Sequence, residues 1–97
     1  MKIERLAAAD IVISQNGRDA GKRFLVIGLD EDYVLLADGK ARKYEKPKRK
    51  KSKHVNFEDK AQGPVAEKIT EGTKVTNNEI RRFIADYTAK KSNEGDM

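Results

Sequence analysis

The chain has 97 residues, 37% of them apolar and 38% charged, with no cysteine and a formal net charge of +5. A length near that of one ordinary domain excludes a multi-step enzyme with separate substrate domains, and the modest apolar share allows one small core under a heavily solvated surface. Without cysteine there is no disulfide framework, no thiolate nucleophile and no thiolate metal site, which fits a reducing cytosol.

The opening MKIERLAAAD lacks the apolar stretch of about 7 to 15 residues that a signal peptide requires, and no segment approaches the ~20 residues that span a bilayer. A soluble, cytoplasmic protein with no membrane partner is expected. DIVIS, Asp10 to Ser14, is a β-branched run and reads as the first strand. It ends in QNGRDAG, where Gly17 and Gly21 punctuate a turn. RFLVIGL, Arg23 to Leu29, is apolar almost throughout, as in a strand buried on both faces or curled in a small barrel. Gly28 inside it marks a bulge or bend. Asp30 to Asp32 make the next turn, and YVLLA, Tyr33 to Ala37, is the third strand.

Asp38-Gly39 is a strong hairpin signal, because both central positions of such a turn favour positive φ. The following strand is expected through KARKYEK up to Pro47, which cannot donate to a ladder. Alternation there would send Lys40, Arg42 and Tyr44 to one face and Ala41, Lys43 and Glu45 to the other, with Tyr44 either stacking on a nucleobase or packing against the barrel. HVNFE, His54 to Glu58, reads as the last short strand. So many short strands within about 50 residues point to a small all-β barrel.

The period then changes. Pro64 suits the first position of a short helix carrying Val65 and Ile69, with Gly72 just past its end. In TNNEIRRFIADYTAKK, Ile80, Phe83, Ile84 and Tyr87 form one apolar stripe, which packs on the chain's own core more readily than on another molecule. Thr76 or Asn77 can cap this helix, and residues 91–97 are expected to be a disordered tail. The organisation is thus a barrel over 1–60, a helical extension over 61–90 packed on it, and the tail.

The charge is concentrated. From Lys40 to Lys53 there are nine Lys or Arg against Glu45 alone, so this stretch carries +8 and the remainder sums to −3. A block of this kind points to a polyanion, with a solvated tether as the bland alternative.

GRDAGKR, Gly17 to Arg23, invites comparison with a phosphate-binding loop. That loop needs G-x-x-x-x-G-K-[ST] between a strand and a helix. Here three residues separate the glycines, Arg23 replaces the hydroxyl, and the segment connects two strands. Three adjacent acids at Asp30, Glu31 and Asp32 lack the spacing of a calcium loop, and His54 is a lone histidine without partner ligands. No nucleophile and base pair stands out, so neither catalysis, a cofactor nor a metal is expected.

An apolar strand, a turn with Gly17 and Gly21, and a second apolar strand resemble the KOW motif over Asp10 to Ala37. With LLADGKARKYEKPKRKKSKH added, the chain looks like the KOW domain of the archaeal and eukaryotic large-subunit ribosomal proteins fourteen, six and twenty-seven. It is also similar to stand-alone KOW-domain RNA-binding proteins of low-GC Gram-positive bacteria, in S-x-x-G-R-D-x-G (Ser14 to Gly21), ADG-x-x-R-K (Ala37 to Lys43), EKPK-x-KK-x-KH (Glu45 to His54) and VTNNEIR (Val75 to Arg81). It departs from these in lacking the long basic helical extension of the archaeal and eukaryotic proteins and the glycine that commonly opens the first KOW strand.

The resemblance implies a mainly β fold, a small SH3-like (KOW) barrel with one or two C-terminal helices, that binds RNA on or near the ribosome. The expected RNA-binding residues are Arg18, Lys22 and Arg23 at the glycine loop, then Lys40, Arg42, Lys43, Tyr44, Lys46, Lys48, Arg49, Lys50, Lys51, Lys53 and His54, gathered on one surface. Gly17 and Gly21 are the structural glycines of the loop. Ribosomal RNA is the expected partner, with ribosomal proteins beside it. The competing expectation is a protein-interaction barrel of the translation or transcription machinery, using an apolar edge and the C-terminal helix.

Overall fold

A computed structural model describes residues 6–95, with side chains placed through residue 92. The first five residues of the expected barrel and the last two of the expected tail lie outside the described residues. Five strands form one antiparallel sheet: β1 (Asp10–Ser14), β2 (Arg23–Asp30), β3 (Tyr33–Ala37), β4 (Lys48–Lys51) and β5 (Val55–Lys60). Two helices follow, α1 (Pro64–Glu71) and α2 (Asn77–Gly95). The fold is therefore mainly β with C-terminal helices. Among the described residues, no helix is long and apolar enough to cross a membrane.

The strand order is β4-β3-β2-β1-β5. The two edge strands are thus consecutive in the chain, joined only by a 3₁₀ turn at Ser52–His54. In a flat sheet four spacings of about 4.8 Å would hold those edges ~19 Å apart, whereas four Cα steps reach at most roughly 14 Å. The sheet must curl. It does not close, because no ladder joins β4 to β5. Bulges between Ile11 and Val12 and between Val26 and Gly28 add the local twist that curling needs.

Curling separates two cores. Val12, Phe24, Val26, Val34, Leu36 and Val55 are buried together on the concave face. Ile11, Leu25 and Ala37 point the other way, into a second cluster completed by Ala66, Ile69, Val75 and Ile80 from the helical segment. Phe24, Leu25 and Val26 are consecutive and all buried, so the apolar run of β2 is used on both faces. The stripe of α2 also turns inward: Ile80 is fully buried and Phe83, Ile84 and Tyr87 pack against the same cluster. It does not offer an apolar face to a partner.

Helix α1 begins at Pro64 and ends at Gly72, whose amide and that of Thr73 return to the carbonyls of Ile69 and Lys68. At the start of α2, Thr76 is the cap. Its hydroxyl accepts from the amide of Glu79 at 3.1 Å, and Glu79 Oε1 accepts from the amide of Thr76 at 2.9 Å, a reciprocal capping box. Lys68 reaches Glu79 Oε2 at 2.7 Å and ties α1 to α2. The hydrogen bond from Lys68, first, and that from the Thr76 amide hold the Glu79 carboxyl below its usual range. Helix α2 continues to Gly95, so residues 91–95 are helical and not the expected disordered tail. No Pro or Gly interrupts the stretch from Ala89 to Glu94, so nothing in it breaks the helix.

The expected strand through KARKYEK does not form. Residues 38–47 make a folded connection with one isolated bridge, Lys43 to Lys46, and the strand starts after Pro47. Asp38 Oδ1 accepts from the amides of both Lys40 and Arg42, at 2.9 and 2.8 Å. This local bonding competes with a two-residue hairpin. The alternation proposed for Lys40, Arg42 and Tyr44 is lost with the strand.

Gly39 in this connection is buried at φ +78° against the first turn of α2. A Cβ there would overlap the carbonyl oxygen of Asn77 and lie 2.8 Å from the amide nitrogen of Arg81. Both partners are helix backbone and cannot swing aside. Gly39→Ala is therefore expected to destabilise the protein by about 2–4 kcal/mol, from left-handed backbone strain plus overpacking. Urea denaturation of the two proteins measures this, with Gly72→Ala, left-handed at φ +79° but with no atom within 4 Å of the new Cβ, as the comparison for strain alone.

Candidate nucleic-acid interface

The glycine loop is a compact turn held by its own backbone. Gly17 and Gly21 have φ of +76° and +85°, values at which a side chain would be strained. The Gly21 amide donates to the Ser14 carbonyl at 2.8 Å, and the Lys22 amide to that of Asp19 at 2.9 Å. One 3₁₀ turn, Gly17–Asp19, lies inside a connection between antiparallel strands, unlike a phosphate-binding loop that opens a helix.

Asp19 organises the cations around this turn. It is buried, and its Oδ2 lies 3.4 Å from Lys48 Nζ and 4.0 Å from Arg42 Nη2. Lys50 Nζ donates to Ser14 Oγ at 2.8 Å and to the Asn16 carbonyl at 2.7 Å. The loop over 15–22, the connection over 38–47 and the inner face of β4 therefore meet at one end of the sheet. Arg18 and Lys22 are exposed there and form no ion pair among the described residues. Lys40, Lys43 and Lys46 are exposed on the 38–47 connection.

The single cationic surface expected from the sequence is only partly present. β4 alternates, and its register with β3 pairs Lys48 with Leu36 and Lys50 with Val34, but Arg49 with Leu35 and Lys51 with Tyr33. Paired residues share a face, so Lys48 and Lys50 turn toward the glycine loop and Arg49 and Lys51 turn away. Arg49 Nε binds Asp30 Oδ2 at 2.9 Å and its guanidinium lies 3.6 Å from the Tyr33 ring centroid, with Lys51 Nζ at 5.8 Å. Lys53 is exposed beyond the end of β4. His54 Nδ1 accepts from Asn16 Nδ2 at 2.8 Å, beside a bond between Gln15 Nε2 and Asn56 Oδ1.

Two expected RNA ligands have structural work instead. Arg23 binds Glu58 through both Nε and Nη2, at 2.6 and 3.0 Å, and its Nη1 reaches Thr88 Oγ1. Its guanidinium also lies 5.2 Å from the Tyr87 ring. It joins β2, β5 and α2, and its side chain is only 19% exposed. Tyr44 packs against the cluster under the helices, while its amide donates to Asn77 Oδ1 at 2.6 Å. Asn77 Nδ2 in turn donates to Glu45 Oε1 at 2.9 Å, the chief reason the Glu45 carboxyl sits below its usual range. The aromatic flanked by two cations is Tyr33, with Arg49 and Lys51.

No local signal marks Glu58, Ser14 or Asn16 as partners, because each lies 34 to 36 residues from the base it holds. Among the described residues no group of three or more His, Asp or Glu side chains could hold a metal ion. Models of known protein families give no match to this chain, and curated protein sequences give none either.

Arg23→Ala should cost about 1–3 kcal/mol in urea denaturation, the range for charge-assisted hydrogen bonds, whereas Arg18→Ala should stay within about 0.5 kcal/mol. Tyr87 supplies a second measurement on the same cluster. Burial first, then the Glu58 charge and the bond its hydroxyl donates to Asp59 Oδ2, push its phenol from 10.0 up to about 12. The folded state keeps this proton after the unfolded state has lost it, so the stabilisation is complete below pH 10 and is lost as pH rises toward 12. Phenolate absorbance in wild type and Tyr87→Phe locates that titration.

Proposed function

We propose that this chain is a non-catalytic RNA-binding module of the cytoplasm, built on an SH3-like barrel of the KOW type and contacting ribosomal RNA or the ribosome. The strand order β4-β3-β2-β1-β5, with edge strands linked by one 3₁₀ turn, supports the barrel reading. The observation that carries the function is the meeting of the glycine loop, the 38–47 connection and inner β4 around buried Asp19.

Arg18, Lys22, Arg42, Lys48 and Lys50 are the cations of this end, and the rigid turn gives the first two a defined position. A guanidinium grips a phosphate through two parallel bonds, while ammonium groups add charge without direction. Lys40, Lys43 and Lys46 extend the attraction outward. Such an interface reads backbone shape and charge and carries no device for reading base sequence.

If about five phosphates are neutralised, affinity for single-stranded RNA should fall with a log-log salt slope of roughly −3.5, near a hundredfold between 50 and 200 mM salt. Arg18→Ser with Lys22→Ser should make that slope shallower by about 1.4. Arg49→Ser with Lys51→Ser, on the other face, should leave it unchanged. Filter binding at several salt concentrations decides this. A flat salt dependence, or a larger loss from the second pair, removes the proposed interface. Ribonuclease treatment during co-sedimentation with ribosomes tests the partner: release supports RNA, retention a protein contact.

A further inference from the structure

A groove of about 540 Å³ lies between β5 and the turn joining β2 to β3. Its floor is Leu29, Val34, Val55 and Phe57, and its rim carries the carboxylates of Glu31 and Asp32 and one cation, Lys53. Among the described residues, the two large apolar side chains left exposed are Leu29, at 52%, and Phe57, at 44%, and both line this groove. A neighbouring pair of this kind is a recurrent mark of an interaction site. The carboxylates of Glu31 and Asp32 form no ion pair or side-chain hydrogen bond among the described residues, in a chain whose net charge is +5. The groove sits at the end of the β2–β3 hairpin opposite the connection that brings Arg42 to Asp19.

Beside it, β5 is an edge strand that pairs only with β1. Its other side offers main-chain donors and acceptors, the requirement for adding an extended segment to a sheet. A nucleic acid fits poorly, since the two carboxylates of the rim outnumber its one cation, Lys53, and would face the phosphates. An extended polypeptide meets all three features: backbone for the free edge, an apolar side chain for Leu29 and Phe57, and a basic side chain for Glu31 and Asp32.

We propose that this groove is a second binding surface, one that seats an extended polypeptide segment with an apolar residue flanked by lysine or arginine, added as a strand beside β5. The protein would then join an RNA at one end and a basic protein segment at the other.

The probe is the capped peptide Lys-Leu-Thr-Val-Thr-Lys, titrated into the full chain and followed by the chemical shifts of backbone amides. Shifts should concentrate in residues 29–34 and 53–58. Affinity should fall about tenfold or more with Leu29→Ser, a half-exposed site that leaves the core intact, and by at least about threefold with Glu31→Gln and Asp32→Asn together. A peptide N-methylated at both threonines, which cannot complete the ladder, should not bind. Several results would overturn the proposal. These are absence of shifts, shifts centred on Asp19, equal binding of the peptide with glutamate in place of lysine, displacement of the same amides by oligouridine, and sedimentation as a dimer that excludes the peptide.

Discussion

The link of three residues between β4 and β5 is the constraint on which this structure turns. It joins the two edges of a five-stranded sheet, and no flat sheet can accommodate it. Once the sheet curls, its concave side is lined by its own strands, and Val12, Phe24, Val26, Val34, Leu36 and Val55 are buried there with Leu6 packed against them. The convex side is left open, so the helical segment is required to bury Ile11, Leu25 and Ala37. The apolar area buried by the fold is thus shared between two small clusters, one on each side of the sheet.

The same curl sets the electrostatics. A strand of four successive cations cannot direct all of them to one side, because alternation is built into the strand. What concentrates positive charge is the neighbourhood of the loops, with Asp19 buried between Arg42 and Lys48 and the Ser14 hydroxyl under Lys50. Arg23, one position beyond the exposed Lys22, faces the helices and is consumed by Glu58 and Thr88. Two neighbouring bases thus have different surroundings, because Arg23 opens β2 whereas Lys22 belongs to the loop before it. β4 and β5 remain edges, and the four cations of β4 discourage another chain from pairing there.

Much of the fold was legible from local pattern. β1 and β3 coincide with the β-branched and apolar runs DIVIS and YVLLA, and the expected ends of α1 at Pro64 and Gly72 are the observed ones. The bulge at Gly28 and the inward stripe of α2 follow from the same short-range reasoning. β4 was not legible, because KRKK has no apolar alternation and becomes a strand only by pairing with β3. The 38–47 connection misled for a related reason. Asp-Gly is a hairpin signal, but here the Asp38 side chain folds the turn and Gly39 is the one residue small enough to lie under α2.

By itself the sequence determined the strands and helices whose patterns repeat over a few residues, the concentration of positive charge between residues 40 and 53, and the two glycines that shape the loop. Tertiary structure alone decided which of those charges are available, because every deciding partner is remote: Glu58 for Arg23, Ser14 and Asn16 for Lys50, Asp19 for Arg42 and Lys48, Asn77 for the backbone of Tyr44. Periodicity records which way a side chain points from its own strand or helix. What it meets there depends on how the sheet curls, which brings together side chains 19 to 36 positions apart in the chain.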